Sequence, residues 1–289
     1  MIRQAQIGNT SFISRVDSDK NGVLLSVCND VIYDDDCFHV IYINGSQEDH
    51  YKANGYGALP LIMNERVWGH SCDFYGEGFK PYVFKYRINT GRDNSFNFSR
   101  SLLEAIKRLE TDRIIIVGKS YGAIIACRLN ESDLVRQIVC VNPCLLGSPL
   151  ADINLFNSFA YGFSPLMQIV RLGQANVFKV EAGQTGFTRE KVRGFEDDIR
   201  RPEKIQVIGG SINHLSPRLL HPDEIVLSAS AKFILQATGL TSDGMTVFAK
   251  NIYEGLGLEV TELDRPYHNR AEHPDYCQHV FQKVIEKSK

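Results

Sequence analysis

Ile114-Ile115-Ile116-Val117-Gly118-Lys119-Ser120-Tyr121-Gly122-Ala123-Ile124-Ile125-Ala126-Cys127-Arg128-Leu129 is the stretch around which the rest of the chain can be read. β-branched residues run without a break into Gly-x-Ser-x-Gly, and small apolar residues with no helix breaker follow. The local reading is strand, sharp turn, helix. That is the shape of a nucleophile elbow. Gly118 and Gly122 keep side chains out of a crowded turn, so Ser120 can take a strained backbone and project its hydroxyl from the sheet edge.

Working outward, Phe38-His39-Val40-Ile41-Tyr42-Ile43 reads as a buried strand that ends in the polar loop Asn44-Gly45-Ser46-Gln47. Such a loop lies where open α/β sheets place ligand contacts. Tyr82 to Arg87 forms a further strand, and Phe98, Leu102, Leu103, Ile106 and Leu109 recur at helical spacing before the elbow. Beyond the elbow, strands are expected at Gln137–Val141, Lys204–Gly209 and Leu258–Leu263. A helix is expected from about Pro222, and a terminal helix carries Tyr276, Val280, Phe281, Val284 and Ile285 as its apolar stripe. Alternating strands and helices predict an α/β protein, a mostly parallel central sheet with helices on both faces.

The alternation pauses over 150–203, where Phe156, Phe159, Phe163 and Met167 precede a charged patch; this span is expected to be an inserted helical cap. The segment 49–80 is rich in Gly, Tyr and His without periodicity and reads as irregular, with one short helix near 59–67. At the N-terminal end, β-prone runs within 11–28 flank Asn21-Gly22 and predict a hairpin. Its turn imitates a calcium loop through Asp17, Asp19, Asn21 and Gly22, but the twelfth position is Cys28 rather than the required Glu. All 289 residues are expected to form one domain.

The net charge is −2, and Lys and Arg are scattered rather than gathered in the basic stripe that nucleic-acid binding needs. No apolar run approaches the length of a membrane span. The first residues lack the apolar core of a secretion signal, which predicts a cytoplasmic protein. Seven cysteines without framework spacing read as reduced packing residues.

A serine hydroxyl needs a base to take its proton and a carboxylate to hold that base in one tautomer. With acid and base expected after the elbow, in that order, His39, His50 and His70 fall too early. His214 and His221 lie in a polar loop after the Lys204–Gly209 strand. His268 follows the last strand and precedes the terminal helix, where a base belongs; His273 and His279 are the alternatives. Asp243, in Ser242-Asp243-Gly244, is the first candidate for the acid and Asp264 the second, while Asp197 and Asp198 belong to the expected cap. Oxyanion donors are expected from the backbone N–H of Tyr121 and from Ser46 or Gln47.

Asn44-Gly45-Ser46-Gln47, the elbow, Asn142-Pro143-Cys144-Leu145-Leu146-Gly147-Ser148-Pro149-Leu150-Ala151-Asp152, and Ser242-Asp243-Gly244 with His268 together resemble the α/β-hydrolase superfamily, in its bacterial lipase and esterase branch. The third segment looks like the Thr-Pro-His-x-Gly-Ser-Pro-x-Ala-Asp run of such lipases, with Asn142 for Thr and Cys144 for His. Asn44 and Lys119 also stand where those lipases often carry His. The resemblance implies an α/β-hydrolase fold and a carboxylic-ester hydrolase in which Ser120 attacks a small-molecule ester, His268 shuttles the proton and Asp243 orients His268. It implies no metal and no organic cofactor. Thioester hydrolysis or acyl transfer would use the same residues, and a non-catalytic binding protein of the same fold is the remaining alternative.

Overall fold

A computed structural model describes residues 5–7, 10–18, 21–28, 36–43, 45, 78–86, 95–147, 199–218 and 222–268, with the single positions 279, 282, 283 and 286. The expected cap lies outside the described residues apart from 199–203. The short helix near 59–67 and the apolar stripe of the terminal helix lie wholly outside them.

The chain forms a nine-stranded sheet in the order β1-β2-β3-β5-β4-β6-β7-β8-β9. The strands are β1 (Ala5–Ile7), β2 (Thr10–Ser18), β3 (Gly22–Cys28), β4 (Phe38–Ile43), β5 (Phe79–Tyr86), β6 (Ile114–Lys119), β7 (Val135–Val141), β8 (Ile205–Gly209) and β9 (Glu259–Glu262). From β5 through β4, β6, β7 and β8 to β9, neighbours pair in parallel. The first three strands pair antiparallel and extend one edge. β6 and β8 are buried along their whole length, as strands covered on both faces must be. The antiparallel edge behaves differently: β2 and β3 shift register twice, at Ile13/Arg15 and Arg15/Asp17, and such irregularities increase the local twist.

Strand limits move by a few residues, as at β7 and β9, and two larger departures concern β1 and β5. β1 has no counterpart in the sequence reading, because a strand of three residues is too short to show a period. β5 starts at Phe79 rather than Tyr82 and so contains Pro81. The proline is tolerated because pairing with β3 runs only from Tyr82 to Tyr86, leaving Pro81 beyond that ladder.

Helix α1 (Ser95–Lys107) buries Phe98, Leu102, Ala105 and Ile106, and α2 (Tyr121–Cys127) is buried throughout. Both pack in one core with Ile114, Ile116, Ile138 and Cys140 from the centre of the sheet. Helix α3 (Pro222–Thr238) supplies Leu227 and Ala231 to a smaller core with Ile212 and Tyr267. Helix α4 (Lys250–Gly255) brings Tyr253 against Phe248. Among the described residues no helix is long and apolar enough to cross a membrane. The parallel strands all point their carboxyl ends the same way, and the loops leaving β6, β8 and β9 therefore emerge on one side of the sheet.

Candidate active site

The elbow begins where β6 runs out of apolar residues. Ser120 adopts φ 53° and ψ −120°, a region that costs a non-glycine residue on the order of 1–3 kcal/mol. Three backbone hydrogen bonds hold it there: Ser120 N donates to Val141 O (3.0 Å), and Ser120 O accepts from Ala123 N (3.1 Å) and Cys144 N (3.3 Å). Gly118 makes the turn possible. A Cβ there would lie 2.6 Å from Gly122 O and 2.8 Å from Ala123 N. Both are backbone atoms that cannot step aside.

Asp243 sits in the loop between α3 and α4 and is fully buried. Its Oδ1 accepts from the amides of Met245 (2.9 Å) and Thr246 (2.8 Å). Its Oδ2 accepts from Thr246 Oγ1 (3.0 Å) and lies 2.6 Å from His268 Nδ1. Each carboxylate oxygen thus has donors on fixed backbone or side chain, as a buried charge requires. On the other side of the imidazole, His268 Nε2 is 2.9 Å from Ser120 Oγ. The ring therefore bridges the hydroxyl and the carboxylate. Because the carboxylate can only accept, Nδ1 carries the proton and Nε2 is left as the acceptor for the serine hydroxyl.

The structure brings Ser120, Asp243 and His268 together from sequence separations of 148 and 25. Asp243, not Asp264, reaches Nδ1. Tyr121 opens α2 directly after Ser120, and the first amides of a helix have no partner inside it. Its ring is buried against Tyr86. Ser46 and Gln47, the other expected oxyanion residues, lie outside the described residues, as do His273, Asp197 and Asp198. Gly45 from the same loop is described. A Cβ on it would stand 3.0 Å from Ser120 Cβ and 3.4 Å from Oγ, so Gly45 lies directly against the serine side chain. Lys119 is buried beside the serine.

Several supports were not singled out in the sequence. Thr246 holds Asp243 twice, through its amide and its hydroxyl; the spacing Asp-x-x-Thr after a turn signal was the available clue. Asn213 Oδ1 accepts from Ser242 N at 2.7 Å, although its segment reads only as a polar loop. Asn142, at φ 40°, follows β7 and donates from Nδ2 to Tyr267 O at 3.4 Å. Below the acid, Tyr253 is buried, and burial first, then the Asp243 charge, pushes its hydroxyl well above the usual range. Cys127 and Cys140 lie 3.5 Å apart beneath the elbow. Their mutual hydrogen bond and burial push the Cys140 thiol up, so it is a packing thiol rather than a nucleophile.

No protein-family model and no curated protein matches the sequence. Among solved structures, the chain is similar to the mature lipase BlEst2 of Bacillus licheniformis, at 17% identity over 88% of this chain and 94% of that one, with a TM-score of 0.51. It is also similar to Est816, described as an N-acyl homoserine lactone degrading enzyme, at 12% identity over 93% and 99% of the two chains and a TM-score of 0.50. With the parallel sheet, the helices beside it and a strand-turn-helix at Ser120, these likenesses identify the architecture of the chain as the α/β-hydrolase fold.

Proposed function

We propose that the chain is a serine hydrolase that cleaves carboxylic esters through an acyl-enzyme intermediate. The observation that carries this reading is the continuous bridge from Ser120 Oγ through His268 to Asp243, with contacts of 2.9 and 2.6 Å. The first is within hydrogen-bond reach of a nucleophile and its base, the second of that base and the carboxylate that orients it.

In the first half-reaction Ser120 Oγ attacks the ester carbonyl carbon while its proton passes to His268 Nε2. The imidazolium that forms is stabilised by Asp243, which keeps its own charge. The tetrahedral oxyanion is met by the Tyr121 N–H and by a second N–H from the loop after β4, at Ser46 or Gln47. Collapse expels the alcohol, which takes the proton from Nε2, and leaves Ser120 acylated. In the second half-reaction a water loses its proton to Nε2 and attacks the acyl carbon; return of that proton to Oγ releases the acid and restores the serine.

A fluorophosphonate probe and a series of p-nitrophenyl esters of increasing chain length test the reading. The expected result is stoichiometric labelling that disappears in Ser120→Ala, with turnover falling in parallel. Labelling or hydrolysis that survives Ser120→Ala sinks it. Absence of both in the wild type favours a non-catalytic binding protein of the same fold.

A further inference from the structure

Glu224, in the first turn of α3, holds a carboxylate with 0% solvent exposure. Such a charge is tolerated only if charge-assisted hydrogen bonds replace its hydration. Arginines from two different loops supply them. Arg218 donates from its backbone N to Oε2 (2.9 Å) and from Nε and Nη2 to Oε1 (2.8 and 2.5 Å). Arg265 donates from Nη2 to Oε2 (3.0 Å) and also to Ser216 O (3.1 Å).

The two loops bear on opposite ends of the Asp243–His268 contact. The loop leaving β8, which contains Arg218, grips the residue before Asp243: Ile212 N donates to Ser242 O (2.8 Å), and Asn213 Oδ1 accepts from Ser242 N (2.7 Å). The loop leaving β9 contains Arg265 and carries His268. It is held at one end by Leu263 N donating to Gly209 O (2.9 Å) and at the other by His268 N donating to Asp243 O (3.2 Å). Between them, Pro266 packs on Gly210 and the Tyr267 ring is buried against Ile212 and Leu227. Glu224 is where charged side chains of both loops meet. Arg265 Nε is buried without a hydrogen-bond partner among the described residues, and Nη2 makes the bonds to Ser216 and Glu224.

We propose that Glu224 is a positioning residue that, by clamping Arg218 and Arg265 together, sets the His268 loop against the Asp243 loop and so holds the imidazole in line with Ser120. This deepens the function proposed above and rests on it. A displacement of about 1 Å in a reacting group is enough to cost on the order of 100-fold in rate. The clamp acts on that distance without touching substrate.

Glu224→Gln and Arg265→Met in the full chain test this. The readouts are kcat and KM on p-nitrophenyl acetate and the low-field proton resonance of the Asp243–His268 hydrogen bond, taken where near-ultraviolet circular dichroism shows native packing. The expected result is a kcat at least tenfold lower with KM within twofold, a displaced or broadened resonance, and a double variant no slower than the slower single. Arg265→Lys should recover part of what Arg265→Met loses. A folded Glu224→Gln protein with wild-type kcat and an unmoved resonance overturns the proposal, even if its melting temperature falls. Should Glu224→Gln fail to fold, an unchanged kcat and resonance in Arg265→Lys and Arg265→Met overturn it. Wild-type turnover that survives Ser120→Ala would sink the functional reading instead, and the resonance would still read the clamp.

Discussion

Ser120 is placed by residues adjacent to it in sequence or on the neighbouring strand: Gly118, Gly122, Ala123 and the end of β7. Asp243 and His268 are placed by loops that meet only in the folded chain, through Ile212, Asn213, Thr246 and the Glu224 clamp. The elbow is anchored to backbone atoms at the end of β7, in the first turn of α2 and at Cys144. The acid–base shelf adds side-chain bonds from Asn213, Thr246 and Glu224 to its backbone bonds at the end of the sheet. The difference teaches that the two halves should fail differently: damage to the elbow costs folding and chemistry together, whereas damage to the shelf costs chemistry first.

The largest expected effect is on the shelf and leaves the fold alone. In Asp243→Asn, Oδ1 still accepts from Met245 and Thr246, but an amide NH₂ replaces Oδ2 opposite His268 Nδ1. Nδ1 must then accept, the proton moves to Nε2, and the base faces Ser120 with a donor. Steady-state kinetics should show kcat lower by roughly 10³- to 10⁴-fold, or about 4–5 kcal/mol of barrier, with KM little changed. Next comes a matched pair of glycines. Gly118→Ala places its Cβ on backbone atoms of Gly122 and Ala123, so it should cost about 3 kcal/mol of stability along with fluorophosphonate labelling. Gly210→Ala meets the Pro266 ring at 2.7 Å, on the loop that carries His268. That ring can give way, so thermal melting should move less than in Gly118→Ala while kcat still falls. Equal melting losses in the two variants would break the contrast.

An acid-sensitive group at the opposite end of the sheet must be separated from any titration of the shelf. His39 opens onto Lys80 and Tyr82 at the start of β4, and burial, then the Lys80 charge, lowers its pKa from 6.5 to about 4. Between those values the unfolded chain binds a proton that the folded chain refuses. Stability should therefore be complete above pH 6.5 and fall as pH drops toward 4, by about 2 kcal/mol after water screens this partly exposed ring. In His39→Phe, chemical denaturation at pH 5 and pH 7 should differ less than in the wild type by about half that amount, roughly 1 kcal/mol, since nearly half of the linkage lies below pH 5. An acid limb of the rate profile that persists in the variant then belongs to the site.

The same contrast explains what could be read from the residues alone. β4, β6, β7 and β8 are dense apolar runs buried between helices, and the elbow needs only adjacent residues, so composition and order are enough to place them. The resemblance to α/β-hydrolases also singles out Asp243 and His268, because in that family the acid and then the base come from loops after later strands at the same edge. What holds those two in register is another matter. Glu224 and Arg265 look like ordinary surface charges, since a side chain's partner across 41 residues leaves no periodic mark. Asn142 appears in the sequence only as a departure from the Thr of the lipase-like segment, and only the folded backbone assigns it φ 40°. Pro81 argues locally against the strand in which it lies, and only the extent of the β3 ladder removes the objection.

The smallest effect probes the shelf at its most local contact. Thr246→Val removes the hydroxyl that lies 3.0 Å from Asp243 Oδ2 and 3.3 Å from Pro143 O, and preserves side-chain shape. The amides of Met245 and Thr246 still hold Oδ1 at 2.9 and 2.8 Å. The carboxylate keeps its place, but Oδ2 retains only the imidazole as donor. One hydrogen bond to a buried charge contributes about 1.5–3 kcal/mol, part of it to the fold. The remainder should appear as a fall in kcat of about fivefold with KM unchanged. If the loss instead appeared wholly in melting temperature, Thr246 would belong with the elbow's backbone anchors, and the shelf would be stiffer than its side-chain construction implies.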